Sequence, residues 1–364
     1  MKNKQRNIID FRLSLNDSLL LKGIAICLML WHHLFYQNPE YGALVFQTAQ
    51  FAKVCVSLFL FVSAYGLTVQ YGKIYDKPVA ETFKFQVKRF VKFYANYWSV
   101  FLIFVPVGVL FFSRSFSIPY GNGITNQIKM LITDFSGLNL YQSYNITWWF
   151  NQLIICMYIL FPALYFIAKK QPVFLLTVSV FLWIFNLPVL PAIIHNYLFI
   201  FSLGIVYSLN IGQINSFLNR INRFALFGLL LTGVLILFYV RNHATVPLFS
   251  GTRVDAFLTL NIVCLGLLII RTIQYNTIQY NTIQHIKPLI FLGKHSMNIY
   301  MVHTFIYYYF FMDFMYSFKY PVLIFVVLLL CSLAVSIIVE YLKKAANLSK
   351  LINNINRKIE EIKS

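Results

Sequence analysis

Long apolar runs alternate with short polar ones along the whole chain. Taken in order, the runs predict ten spanning helices, at 18–37, 46–70, 94–113, 149–168, 173–190, 193–209, 224–240, 256–271, 288–310 and 320–342. Each approaches the ~20 residues an α-helix needs to cross the hydrocarbon of a bilayer, the fifth and sixth being the shortest. The expected fold is therefore an all-α polytopic membrane protein. A cytoplasmic N-terminal segment, 1–17, leads into one membrane domain, 18–342, and a basic tail follows at 343–364. The polar stretches are short apart from 72–93 on the expected inner side, 114–147 on the expected outer side, and the tail. In the tail, Lys, Asn, Ile and Glu alternate. That pattern suits either an amphipathic helix on the inner leaflet or a partly disordered segment.

Composition agrees with the pattern. Of 364 residues, 59% are hydrophobic, 18% aromatic and only 11% charged, which excludes an ordinary soluble domain. The net charge of +19 carries topological information. With the N-terminus placed in the cytoplasm, twenty-two of the thirty Lys and Arg fall on the inner side and five on the outer. That asymmetry is the positive-inside rule, and an even number of spans keeps the basic tail inside with the N-terminus. Nucleic-acid binding is not needed to explain the charge. The five cysteines lie in five different apolar segments, without metal-ligand or redox spacing. The first apolar segment is long, has no small-residue cleavage site, and is expected to remain as the first span. Residues 272–286 hold nearly three copies of the pentapeptide Thr-Ile-Gln-Tyr-Asn, too short for a solenoid unit; a tolerated duplication in a cytoplasmic loop accounts for them.

Ionisable residues inside apolar segments are the candidates for chemistry. In the first span Lys22 precedes His33 by eleven residues. At ~100° and ~1.5 Å per residue the two return to nearly the same helix face, about 16 Å apart along the axis. With Lys22 at the cytoplasmic edge, His33 falls near mid-membrane, where an ionisable group is costly and tends to be functional. His32 projects ~100° away and is expected to pack.

Other stretches add to this pair. The second span reads Leu58-Phe59-Leu60-Phe61-Val62-Ser63-Ala64-Tyr65-Gly66. The following polar segment contains Arg89-Phe90-Val91-Lys92, then Phe93-Tyr94-Ala95-Asn96-Tyr97-Trp98. Trp148-Trp149-Phe150 opens the fourth span and continues to Tyr158 and Phe161-Pro162, and the ninth span runs Leu292-Gly293-Lys294-His295-Ser296-Met297-Asn298-Ile299-Tyr300-Met301-Val302-His303. In this order the stretches resemble the acyltransferase-3 group of integral membrane acyltransferases, over roughly 18–342. In that family a basic residue and an essential histidine are separated by ten positions on the first helix; Lys22 and His33 fit, with Lys where Arg is commoner. The family's Ser-Gly-Phe is Ser63-Ala64-Tyr65 in this chain, and its two basic residues three apart are Arg89 and Lys92.

The resemblance implies a membrane O-acyltransferase that moves acetyl from acetyl-CoA to a hydroxyl of a cell-surface or lipid-linked glycan, in a bacterial cytoplasmic membrane. Acyl transfer to a hydroxyl needs a base, a hold on the thioester donor, and donors for the developing oxyanion. His33 is the expected base or acyl relay, with Lys22 and Ser63 as its catalytic partners. Lys88, Arg89 and Lys92 are the expected ligands of the CoA phosphates. Trp148, Trp149 and His303 are candidates for shaping the acceptor site, and no metal is expected. Asp255 is expected to pair with Arg253 beside it, and Asp313 and Glu340 to face water. Two rivals remain at this stage: a transporter or flippase of a glycosidic or acylated compound, and a catalytically inactive sensor on the same scaffold.

Overall fold

The computed structural model of the chain describes residues 8–139, 143–185, 191–244, 252–276 and 280–361. Among the described residues all regular structure is helical, and eight helices are long and apolar enough to span a membrane. They cover Leu15–Phe35, Ala43–Tyr71, Val79–Phe111, Ile146–Lys170, Ala192–Leu209, Arg223–His243, Arg253–Ile273 and Pro321–Ala345, and correspond to eight of the ten predicted spans. The protein is an all-α, multi-pass membrane protein.

The other two predicted spans take different forms. The fifth is a 14-residue helix, α8 (Pro172–Phe185), which opens on a proline. The end of the predicted span, 186–190, lies outside the described residues. The ninth is broken: α13 (Tyr280–Lys294) stops, His295 takes a bridge-region backbone (φ −90°, ψ 0°), and α14 (Ser296–Thr304) follows. A π-helical turn, Phe305–Phe310, then replaces the regular helix. Of the pentapeptide repeat, Thr277–Gln279 lies outside the described residues, between α12 (Thr252–Asn276) and α13.

The polar segment 72–93, expected as an inner loop, is largely the start of α4 (Val79–Phe111). At ~1.5 Å per residue this 33-residue helix is ~50 Å long, more than a bilayer core requires. Glu81 and Lys84, three apart, pair at 3.0 Å on its first turns. The tail forms α17 (Leu348–Glu361), the helical of the two readings. Asn347, at φ 53°, turns the chain between it and α16 (Pro321–Ala345).

The chain divides into two compact units. The first holds residues up to Leu28, Gln47–Val69 and Ala163–Lys294. Small residues allow its helices close approach. A Cβ on Gly23 would lie 2.0 Å from the Leu289 carbonyl oxygen, and one on Gly293 would lie 1.9 Å from that of Leu19. The first helix, α1 (Leu15–Phe35), therefore crosses α13 backbone to backbone. Gly204 of α9 (Ala192–Leu209) meets Phe61 and Ala64 of α3 (Cys55–Tyr71) in the same way. The departure at Ala64 from the family's glycine thus meets a glycine on its partner. Arg241 and Asp255 form a buried ion pair at 2.6 Å, correcting the expected pairing with Arg253, whose guanidinium lies over Trp183 at 5.8 Å. Asp17 and Arg271 pair at 2.6 Å.

The second unit holds Met29–Phe46, Gln70–Pro162 and His295–Ser364, and contains the candidate site. Helices α14, α16 and α17 pack along α4. A buried aromatic cluster ties α4 to its neighbours. Trp148 lies 5.2 Å from Tyr97, 5.6 Å from Phe101 and 5.8 Å from Phe305, and Phe104 lies 5.0 Å from Phe305. The segment expected on the outer side forms two short helices, α5 (Ser117–Tyr120) and α6 (Ile124–Phe135), held by Asp134. Its carboxylate accepts from the Tyr120 hydroxyl, the Ser143 hydroxyl and the Tyr144 N–H at 2.6–2.7 Å. Burial nevertheless holds this carboxyl above its ordinary range, and it raises Tyr144 to about 12.

Candidate active site

Two histidines meet in the second unit. His33, near the end of α1, has its ring centroid 5.0 Å from that of His303 near the end of α14. His303 is completely buried, whereas His33 is only half-buried. His33 thus retains accessible ring surface, which His303 lacks. His32 stacks on Tyr36 at 4.6 Å and is buried, consistent with packing.

The hydrogen bonds around His303 fix its tautomer. Nδ1 lies 2.7 Å from the Tyr300 carbonyl and 3.2 Å from that of Ile299. A carbonyl only accepts, so Nδ1 carries the proton, and a neutral ring presents Nε2 as an acceptor. Nε2 lies 3.3 Å from the Thr304 hydroxyl, which lies 3.0 Å from the Thr147 hydroxyl. The Thr147 proton goes to the side-chain oxygen of Asn145 at 2.8 Å. The single proton of Thr304 is thus shared between Thr147 and His303, and the acceptor capacity of Nε2 is not saturated.

Backbone anchors hold this arrangement in place. The Trp148 indole N–H donates to the Met301 carbonyl at 3.2 Å, the Asn145 amide to the same oxygen at 3.4 Å, and the Tyr300 hydroxyl to the Thr147 carbonyl at 2.6 Å. Trp148 is thereby a buried support rather than an exposed binding surface, while Trp149 is half-buried. The π-turn begins one residue after Thr304, a departure from regular helix common at functional positions.

A second polar cluster lies nearer the basic end of α4. The Lys343 ammonium, 9% exposed, donates to Asn96 at 2.8 Å, Asn298 at 2.9 Å and Glu340 at 2.9 Å. Asn298 also donates to Glu340 at 2.7 Å, and His295 Nδ1 lies 2.9 Å from the Ser336 hydroxyl. Glu340 is exposed, as expected, and also joins this network; Asp313 is exposed as expected too. The cluster pins the start of α14 to α4 and α16, five residues before His303. Lys343 had no distinguishing signal in the sequence, where it reads as one more basic tail residue.

The expected donor ligands sit along α4. The Arg89 guanidinium lies over the Tyr158 ring at 5.5 Å, and its Nε has no hydrogen-bond partner among the described residues. Lys92 is exposed. Lys88 is ion-paired with Glu360 of α17, so the tail already engages it. Of the remaining candidates, Lys22 lies on α1 and Ser63 on α3, both half-buried and both in the first unit. The structure thus brings together His33 and His303, with Trp148 supporting them, and spaces Lys88, Arg89 and Lys92 along one helix.

The model of a family described as an acyltransferase domain, acyltransferase-3, matches residues 16–341 of the chain. Comparison with curated proteins and with solved structures gave no match.

Proposed function

We propose, since the chain belongs to the acyltransferase-3 family and is a membrane acyltransferase, that it is an O-acetyltransferase. Its donor is acetyl-CoA, its acceptor a hydroxyl of a cell-surface or lipid-linked glycan, and its setting a bacterial cytoplasmic membrane with both chain termini inside. The observation that carries this reading is a half-buried His33 in ring contact with a sealed, orientation-locked His303.

In this reading His33 accepts the acceptor hydroxyl's proton as the oxygen attacks the thioester carbonyl. The C–O bond forms, the C–S bond breaks, and the proton passes to the departing CoA thiolate. His303 does not touch the reactants. It sets the position of the His33 ring and keeps a proton acceptor, Nε2, in the same buried polar region. A variant route, in which acetyl rests transiently on His33 before reaching the acceptor, uses the same residues.

Arg89 and Lys92 are the proposed contacts of the CoA phosphates. Arg89 and Phe104, which packs on the residue following Thr304, are fifteen residues apart on α4, or ~22 Å along it. That leaves the phosphates at one level and the thioester at another, as a long, flexible donor requires. Lys22 and Ser63 remain proposed partners in donor positioning.

Purified protein given acetyl-CoA labelled in its acetyl group, together with a cell-envelope glycan fraction, is expected to yield ester-linked, alkali-labile acetyl on the glycan. Movement of unmodified glycan across proteoliposomes, with no label transfer, would replace this reading with the transporter.

A further inference from the structure

Arg114 lies three residues beyond the end of α4 and twenty-five residues after Arg89, and the stretch of α4 from Arg89 to Phe111 is ~33 Å long. It lines a cavity of about 810 Å³ together with Asn139, Ser143, Trp149, Tyr308 and Tyr309. This volume is within the usual range for ligand sites and exceeds what a small ion requires. Tyr308 and Tyr309 belong to the π-turn that begins two residues after His303, and the Tyr309 hydroxyl accepts from the Ile146 N–H at 3.0 Å. The cavity and His303 are therefore built on the same short segment.

The guanidinium is held in place without being neutralised. It lies over the Tyr309 ring at 3.6 Å and the Tyr144 ring at 5.0 Å, and donates through Nη2 to the Tyr144 carbonyl at 2.8 Å. Among the described residues no carboxylate pairs with it, and its buried Nε has no acceptor. The nearby carboxylate of Asp134 is occupied by Tyr120, Ser143 and Tyr144. A fixed, unpaired cation in a cavity with aromatic faces and amide and hydroxyl groups suits a sugar that carries its own negative charge. Aromatic faces take the apolar side of the ring, and the guanidinium takes the anion.

We infer that this cavity binds the acceptor and selects an anionic glycan, one bearing carboxylate or phosphate, through Arg114. The inference rests on the acyltransferase reading for the word acceptor, but the binding itself does not depend on turnover. A neutral sugar can fill the same volume, yet it leaves the guanidinium without a counter-charge and offers it only neutral oxygen acceptors, weaker partners than carboxylate or phosphate.

The test is equilibrium binding to the full-length protein in detergent, without donor, followed by Trp fluorescence. The probes are an oligogalacturonate, a glycerol-phosphate oligomer, a neutral galacto-oligosaccharide of equal length, and glycerophosphoglycerol as a soluble phospholipid headgroup. At least one anionic oligomer is expected to bind roughly tenfold or more tighter than the neutral one, the scale of one charge-assisted hydrogen bond. The uronate and phosphate arms tell which anion is preferred. Arg114→Gln is expected to erase the preference and Arg114→Lys to restore part of it, both at wild-type thermal stability. Should Arg114→Gln not fold, loss of the wild-type preference at high salt serves instead. Equal binding of neutral and anionic oligomers, an unaltered preference in Arg114→Gln, or binding of the headgroup alone would overturn the inference. Failure of acetyl transfer with anion-selective binding intact would count against the enzyme reading only.

Discussion

At the scale of single residues, burial separates the two histidines into different roles. His303 is fully buried and spends its Nδ1–H on the backbone, so it has one free chemical direction, whereas His33 retains access. The hydroxyl of Thr304 sits between Thr147 and that free nitrogen. Thr304→Val keeps the shape and removes the bridge. It is expected to reduce turnover by less than loss of His33 and to shift the pH profile of kcat, with stability lowered by about 1–3 kcal/mol for the unpaired groups it leaves. A pH–rate comparison of the two proteins checks this; an unchanged rate and profile would mean that the hydroxyl has no part in holding His303. The sequence made His33 legible through its eleven-residue interval from Lys22. It left His303 as a secondary candidate, because the contact joins positions 270 residues apart and no local spacing encodes it. Arg114 was counted as a topological charge, and its lack of a counter-ion appears only in three dimensions.

At the scale of elements, apolar length located the helices, but polar residues determined where they end. The first half of α4 reads as a basic loop by hydropathy, yet its charges pair within the helix and with α17, so the helix continues. The predicted ninth span is broken because His295 leaves helical geometry with its ring against Ser336, a contact between helices that hydropathy does not register. Gly293→Ala would bring a methyl against the Leu19 carbonyl, with backbone on both sides, and is expected to cost about 1–3 kcal/mol or more. A lowered thermal midpoint in detergent would show it; a wild-type midpoint would mean that α1 and α13 can separate freely. Docking of α17 depends in part on Glu360, whose carboxyl is held below its usual 4.5 by Lys88. Its folded-state pKa is depressed, so the contribution is present above about pH 4.5 and lost as pH falls through the lowered value. Amide exchange in 348–361 is expected to accelerate over that acidic window in wild type and to be already fast in Glu360→Gln. Deleting one repeat copy, Thr277–Asn281, is expected to leave turnover unchanged; loss of activity at normal expression would give the repeat a role.

At the scale of the whole molecule, apolar patterning and the family's motifs were enough to identify an all-α membrane acyltransferase. The residue constellation was not recoverable in the same way, because motifs fix neighbours along the chain. The links from Lys343 to Asn96, Asn298 and Glu340, and from Trp148 to Met301, are made by helices distant in sequence. Such links position α14 and so His303, while His33 comes from the first helix. The central claim is that this junction performs acyl transfer with His33 as its base. The most direct measurement is turnover of acetyl-CoA by purified wild-type protein and by His33→Ala, with acceptor glycan supplied and equal thermal stability established for both. The expected result is measurable thioester turnover by wild type and a fall on the order of 10²–10⁴-fold in the variant, the usual contribution of a general base. Equal turnover by the two proteins would contradict it.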